Sequence, residues 1–570
     1  MIKEVVQFLP VRRLLPVILT LLVTAGLLVP SSLSLASRCL VPDLPQPKED
    51  AALLRAQLEA AGLWQPSRLP GRTPPPDPQV GDTWDWYIWD LGGYPVAHLK
   101  PCTVRGMGDH CYVVVDDEEW NLSIDQAAVD RIVTHFDSQS VGFFPDQGIW
   151  DLNTSHFGDP PNPLDGLDRI FLLYYRFNIS ADGYFWIYDQ YPDGSQPFAS
   201  NEADVIYLAT DSGQAGGDYM LAVAAHEFQH LIHFNQDYNE DSWVEEGLGE
   251  LAMWLFGHPD NISMFNSNPD NSLIAWNGLW ADYIKTYLWT LYIYEQYGGQ
   301  PTIWDLVHDP LNGMAGYNNA LAGQGYLVAT TDIFGDWVVA NYLDDPGVPD
   351  GQYGYAGEEL PSFIAYRTHT SYPASATGSV QNWAGEYIRL QNFPGTPSVH
   401  FNGMDIRDFR VSLLAVDPVL PTVVRFLTLD DANDGFLAFP EAAGYAEVII
   451  TVANVHAYSS ASYSYTVDSE ITALQNDLPW TVALGSQPNP FNPRTTISFE
   501  LDRSRQLSVA VHDIAGRLVV QLANQRFLAG HNEVIWDGRD RTGMAVGAGP
   551  YLINLQGKDW SASHKVMLVR

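Results

Sequence analysis

The stretch His226-Glu227-Phe228-Gln229-His230 sets two imidazoles four positions apart, with a carboxylate beside the first. On an α-helix, positions i and i+4 lie one above the other on the same face. Two ring nitrogens spaced this way can share one metal ion. Glu227, one position round, stands beside the open coordination site, where a carboxylate can take a proton from water that the metal has acidified. The local pattern supports a helix: Leu221, Ala222, Ala224, Ala225, Phe228 and Leu231 are apolar, and no proline or glycine interrupts them.

A tetrahedral catalytic zinc needs a third protein ligand and keeps its fourth position open. Residues 235–241 are polar and turn-like. Ser242 is placed to cap a second helix, with Glu245 at the capping-box position three residues on. That helix carries Glu245, Glu246 and Glu250. Two antiparallel helices joined by a short turn bring one of these carboxylates to the histidine pair. Glu246, after a spacer of residues 231–245, is the expected third ligand. A metzincin arrangement fails, because His233 stands where glycine is needed and Gln236 where a histidine or aspartate is needed. His233 shares the helical face of the ligands and reads as a packed or pocket-lining histidine.

The pairing of H-E-x-x-H with Trp243-Val244-Glu245-Glu246-Gly247 and Glu250 resembles the gluzincin zinc metallopeptidases. Ala225-His226-Glu227-Phe228-Gln229-His230 is most similar to secreted bacterial, hyicolysin-like members. The resemblance implies zinc held by His226, His230 and Glu246, with Glu227 as general base and Glu250 orienting the first histidine. It also implies an oxyanion-binding tyrosine or histidine, for which Tyr283 and Tyr287, four apart, are the candidates; core packing is the alternative for both. A substrate-binding edge strand over the cleft is part of the same expectation. The aminopeptidase signature G-x-M-E-N is missing upstream, so endopeptidase is favoured over aminopeptidase. The implied function is a secreted zinc-dependent endopeptidase. The alternative is a surface binding or adhesion protein on a catalytically retired metallopeptidase scaffold.

The elements that must position this site surround it in sequence. Thr83-Trp84-Asp85-Trp86-Tyr87-Ile88-Trp89 and Cys111-Tyr112-Val113-Val114-Val115 read as strands, residues 124–136 as an amphipathic helix, and residues 169–175 and 205–210 as buried strands. Residues 282–297 form a strongly aromatic helix closed by Gly298-Gly299, and 333–342 a further helix. Residues 81–350 thus form an α+β catalytic domain. Beyond it the helical period disappears. Short alternating strands at 386–390, 409–415, 422–429, 446–453 and 462–467 predict a β-sandwich accessory domain over 351–472.

Residues 473–570 read as a second all-β, Ig-like domain. Asn489-Pro490-Phe491-Asn492-Pro493, Asp513-Ile514-Ala515-Gly516-Arg517, Trp536-Asp537-Gly538 and the stretch from Lys565 to Arg570 resemble C-terminal sorting domains with a flagellar hook-capping-like Ig fold. This resemblance implies bacterial outer-membrane secretion machinery as a partner. The fold class expected overall is multidomain: an α+β gluzincin-like domain followed by two all-β domains.

Composition bounds the partners. Of 570 residues, 29 are Lys or Arg and 68 are Asp or Glu, for a net charge of −39. Nucleic acid and anionic membranes both want a basic face, so neither is an expected partner. Protein or peptide is the expected substrate. Strong acidity fits an extracellular protein and leaves room for structural Ca2+ beside the zinc. Lys3, Arg12 and Arg13 precede an apolar run and a small-residue site at Ser34-Leu35-Ala36, so residues 1–36 read as a signal peptide. No stable membrane span remains after its removal. Residues 37–80 read as a Pro-rich linker or short propeptide; no inhibitory group stands out, and a linker is favoured. Of the three cysteines, Cys102 and Cys111 are expected to form a local disulfide, with two buried thiols as the alternative, leaving Cys39 odd.

Overall fold

Buried strands of aromatic and β-branched residues build the platform on which the two-helix site rests. The computed structural model describes residues 39, 51–65, 75–161, 164–263, 265, 269–348, 351–468, 484–501, 504–513, 517–528, 530–557 and 561–569. The expected signal segment lies outside the described residues. A short helix, α1 (Ala51–Ala60), precedes a six-stranded sheet. Its strands are β1 (Thr83–Asp90), β2 (Val96–Met107), β3 (Cys111–Asp116), β4 (Ile170–Tyr175), β5 (Gly183–Phe185) and β6 (Val205–Ala209), in the spatial order β1-β2-β3-β4-β6-β5. β3, β4 and β6 run parallel and are buried along their whole length. Their unbroken apolar runs are what a sheet covered on both faces requires. β5 pairs antiparallel with β6 and forms one edge.

Helices α2 (Gln126–Asp137) and α3 (Ile149–Phe157) lead to α4 (Asp218–Gln236) and α5 (Ser242–Phe256). Asp125 caps α2, accepting a hydrogen bond from the Ala128 amide at 2.9 Å. Asn153 of α3 donates to the Ala225 carbonyl at 2.7 Å and so ties α3 to the helix of the histidines. Then follow α6 (Trp280–Gln296), α7 (Gln300–Val307), α8 (Gly313–Gly323) and α9 (Thr330–Leu343). The Asp282 carboxylate fixes the start of α6 by accepting from the amides of Asn277 and Leu279 at 2.8 and 3.1 Å. Helices α3, α7 and α8 carry no expectation from sequence. The other helices fall within a few residues of those expected.

The expected disulfide is not formed. Cys102 and Cys111 are both buried, unbridged thiols. In the β2/β3 ladder Cys102 lies opposite Asp116, whereas Cys111 precedes the Tyr112–Met107 pair at the other end. Five residue steps separate Asp116 from Cys111, roughly 17 Å of strand, when a disulfide needs Cα atoms within about 7 Å.

The all-β part holds two further units. Strands β7 (Arg367–His369), β8 (Ala374–Val380), β9 (Ala384–Gln391), β10 (Ser398–Gly403), β11 (Phe409–Val416), β12 (Val423–Phe426), β13 (Asp434–Ala438), β14 (Glu447–Asn454) and β15 (Ala461–Asp468) form two sheets, β12-β11-β14-β9-β7 and β13-β10-β15-β8. All pairs are antiparallel except β7 with β9. The five-stranded sheet packs its outer face on α9. The Tyr387 hydroxyl donates to the Val338 carbonyl at 2.8 Å, and Tyr387, Leu414 and Ile449 join the core of the helical domain. The last unit contains β16 (Gly485–Gln487), β17 (Thr495–Leu501), β18 (Arg505–Asp513), β19 (Leu518–Phe527), β20 (Gly530–Trp536), β21 (Gly549–Gln556) and β22 (Ser561–Leu568). Its sheets, β16-β17-β20 and β19-β18-β21-β22, enclose a separate core that includes Phe491, Phe499 and Trp536. Among the described residues no helix is long and apolar enough to cross a membrane.

Glu386, on β9, is buried and accepts a hydrogen bond from Tyr463 of the facing sheet. Burial pushes its carboxyl from 4.5 up to about 7. Between those values the folded chain holds a proton that the unfolded chain has lost, so stability falls as pH rises through the window. Thermal unfolding of the Glu386→Gln variant is expected to show a flatter pH dependence than the parent between 4.5 and 7. Parallel pH profiles would contradict this.

Candidate metal centre

Helices α4 and α5 bring the motif side chains to one buried point. His226, Glu227, His230, Glu246 and Glu250 are all fully enclosed. His226 Nε2 lies 3.3 Å from Glu246 Oε2, and His230 Nε2 lies 3.5 Å from Glu246 Oε1. Yet His226 Nε2 and both Glu246 oxygens have no hydrogen-bond partner. They converge without bonding to one another. With metal–ligand bonds of about 2.1 Å, two ligands of a tetrahedral zinc lie about 3.4 Å apart. The separations therefore match ligands around a common ion, and the orphaned atoms fit such an ion.

Charge supports the same reading. Among the described residues, no lysine or arginine forms an ion pair with Glu227, Glu246 or Glu250; histidines are the only basic side chains recorded beside Glu246 and Glu250. An uncompensated buried carboxylate costs several kcal/mol, on the order of the effective desolvation penalty. A divalent cation supplies the missing charge. Burial pushes the Glu227 carboxyl from 4.5 up to about 8, with Glu246 adding to the effect; a cation at the centre acts in the opposite direction.

Both histidines have an outer carboxylate. Glu250 Oε1 stands 3.5 Å from His226 Nδ1, where the sequence placed it. Glu245 Oε1 stands 3.5 Å from His230 Nδ1. Sequence reasoning assigned Glu245 to a capping box with Ser242; instead Asp241 is the N-cap residue, Ser242 is already helical, and Glu245 turns inward. Glu245 is half-buried at the rim of the centre, one position round the helix from Glu246. His233 is buried and held neutral, lowered to about 4 by desolvation, and it is not among the converging ligands.

Two glycines make this packing possible. A Cβ at Gly249 would sit 2.7 Å from His226 Cε1 and Nε2. A Cβ at Gly247 would sit 2.5 Å from Thr290 Oγ1, on α6. One glycine admits the imidazole and the other admits the neighbouring helix. Trp243 explains the first letter of its motif by stacking on Tyr317 of α8, 5.7 Å between centroids.

The two tyrosines separate. Tyr287 donates its hydroxyl to Glu358, away from the metal ligands, so its expected oxyanion role is not supported. Tyr283 is 3% exposed and faces the site, its hydroxyl held well above its ordinary pKa by burial and then by Glu246. That hydroxyl donates to the backbone carbonyl of Cys39 at 2.9 Å. Cys39 stands at the site although sequence reasoning gave it no part there. Its Sγ lies 3.2 Å from His230 Nε2, and Cys39, His226, His230 and Glu246 each offer a ligand atom within 4.8 Å of the others. The signal available was the odd cysteine itself, just ahead of the catalytic domain.

No family model matches the chain. The neutral metalloprotease ShpI of Staphylococcus hyicus is 26% identical over 223 residues, covering 34% of this chain and 50% of ShpI. The chain therefore spans half the length of that relative. Among solved structures, PorZ, an essential surface component of the type-IX secretion system of Porphyromonas gingivalis, has a TM-score of 0.14 at 17% identity, covering 28% of this chain and 22% of that one. Dimeric latent PorU from the same organism has a TM-score of 0.15 at 14% identity, covering 36% and 19%. Scores of this size assign no fold. The similarity to a metalloprotease agrees with the buried His226–His230–Glu246 group.

Gly249→Ala is expected to displace the His226 ring. The affinity for zinc should fall about 10- to 100-fold, the range seen when support around a metal ligand is lost. Titration of the apoprotein against a competing chelator measures it, and an unchanged affinity would show that the ring is not held against α5.

Proposed function

We propose that this protein is a zinc-dependent endopeptidase acting outside the cell. The observation that carries the reading is the convergence of His226, His230 and Glu246 on one point, with Glu227 beside it and, among the described residues, no lysine or arginine paired with them. Zinc held there would supply Lewis acidity, lowering the pKa of a water and polarising the scissile carbonyl. Glu227 receives the proton of the attacking water and passes it to the leaving amine. Glu250 and Glu245 fix the tautomers of His226 and His230, so that each ring presents Nε2 to the centre. Tyr283 donates its hydroxyl to the developing oxyanion.

The substrate lies along β5. A Cβ at Gly183 would come 2.7 Å from Glu227 Cγ, so this edge strand passes directly over the general base. The edge of β5 that Gly183 uses to bridge Cys39 offers amides and carbonyls to an extended peptide, by the addition of one strand. Side chains in pockets beside it would then set preference. The rival, a binding protein on a retired scaffold, is disfavoured because the base and all three ligands are present. The sorting-domain motifs carried by residues 484–570 favour export across a bacterial outer membrane, by resemblance alone.

Two substitutions separate the roles. Glu227→Gln should retain zinc and lose about 10²- to 10⁴-fold in peptidase turnover, the contribution typical of general acid–base catalysis. Glu246→Ala should lose the zinc itself. Metal analysis paired with a casein assay reads both; full zinc occupancy in Glu246→Ala refutes the third-ligand assignment. Deleting residues 484–570 should abolish export while leaving the chain in the cell, and unchanged secretion counts against a sorting role.

A further inference from the structure

The N-terminal segment enters the site just described. Cys39 is 2% exposed although 191 positions separate it from His230. Several contacts hold it there. Its backbone forms a parallel β-bridge with Gly183 of β5, the edge strand over Glu227. Its carbonyl accepts a hydrogen bond from Tyr283 at 2.9 Å. Its Sγ lies 3.2 Å from His230 Nε2 and 3.6 Å from Glu227 Oε2. A thiolate ligand of a tetrahedral zinc lies about 3.6 Å from its neighbouring nitrogen ligands, so the sulfur is close to the fourth vertex.

A second anchor follows in the chain. Leu54 of α1 is buried, Arg55 lies over the Trp64 ring at 5.0 Å, and Trp64 meets Tyr191 edge-on at 6.2 Å. Tyr191 lies a few residues beyond β5. Cys39 and Trp64 thus both contact the part of the chain that contains β5 and the residues just after it.

We propose that Cys39 is the fourth ligand of the metal and that, bridged to Gly183, it takes the place of a substrate residue, holding the uncleaved chain latent. The inference rests on the metallopeptidase reading. On ligation the Sγ–H bond breaks, the sulfur lone pair binds the metal in place of water, and the proton passes to Glu227 Oε2 or to solvent. No oxidant or reductant takes part. Removal of the segment by proteolysis, or withdrawal of the thiol by an alkylating reagent, opens the fourth position.

The experiment uses purified full-length protein with its N-terminal segment intact. Loaded with Co2+, the parent should show a near-ultraviolet thiolate-to-cobalt charge-transfer band, and Cys39→Ser should lose the band while binding the same amount of metal. In the parent, iodoacetamide should label Cys39 slowly in the metal-loaded protein and rapidly once a chelator has removed the metal; this arm needs no substitution, and the buried Cys102 and Cys111 serve as references. Peptidase activity of Cys39→Ser should exceed that of the uncleaved parent by about tenfold or more, as when a state closed nine-tenths of the time is released. A cobalt-loaded parent without the band, a band that survives in Cys39→Ser, or alkylation at equal rates with and without metal would each overturn the role of Cys39 and leave the metallopeptidase reading standing. Failure of both parent and Cys39→Ser to bind metal would overturn that reading, and this inference with it.

Discussion

Two imidazoles and three carboxylates converge at the α4–α5 contact, out of reach of water. Desolvation of each ionised group is costly, and the orphaned nitrogens and oxygens show that the side chains do not satisfy one another. Such a centre is tolerable only when something else supplies positive charge and takes up the lone pairs. The remaining architecture follows from that demand. The helices must be close enough for Glu246 to reach both rings, hence Gly249 where a side chain would strike His226. α6 must buttress α5 closely, hence Gly247 against Thr290. The buried sheet and α3 then fix the height of α4, with Asn153 clamped to the carbonyl just before the first ligand.

The parts of this arrangement that could be read from sequence are those governed by local period. His226 and His230 declare themselves because helix geometry makes four-residue spacing a spatial statement. Glu246 followed from two helices and one short turn. The parallel strands were legible as unbroken apolar runs. What stayed hidden depends on contacts without local period. Helix α7 has eight residues and a proline in its first turn, and α8 is punctuated by glycines, so tertiary packing, not pattern, makes them helical. Glu245 satisfies a capping-box spacing, yet its energetic gain lies in facing a buried imidazole; the tertiary partner outweighs the local one. The Cys102–Cys111 pairing looked natural from proximity in sequence, but the ladder register places the residues at opposite ends of two strands. Cys39 offered only its oddness.

The sandwich formed by β7 to β15 shares a core with α9, so it is an extension of the helical domain on one face. The last β unit has a core of its own and contributes nothing to the metal centre. This division fits the proposed sorting role of the last unit, which a separate core leaves free to be recognised on its own.

In the proposed mechanism β5 joins substrate binding to latency. A sheet edge will pair with an extended chain, and this one passes close to Glu227. Cys39 engages the groups that catalysis uses. Tyr283 donates to the Cys39 carbonyl as it would to the carbonyl of a substrate, and β5 pairs with the segment's backbone as it would with a peptide. The difference is the side chain. The sulfur stands where the attacking water belongs, and Glu227 faces Sγ in place of a water proton. On the proposed reading Cys39 is taken as a substrate at its backbone while its own thiol excludes the nucleophile. It can remain bound next to an assembled site without being cut, because the same residue that presents a carbonyl also removes the means of attacking it.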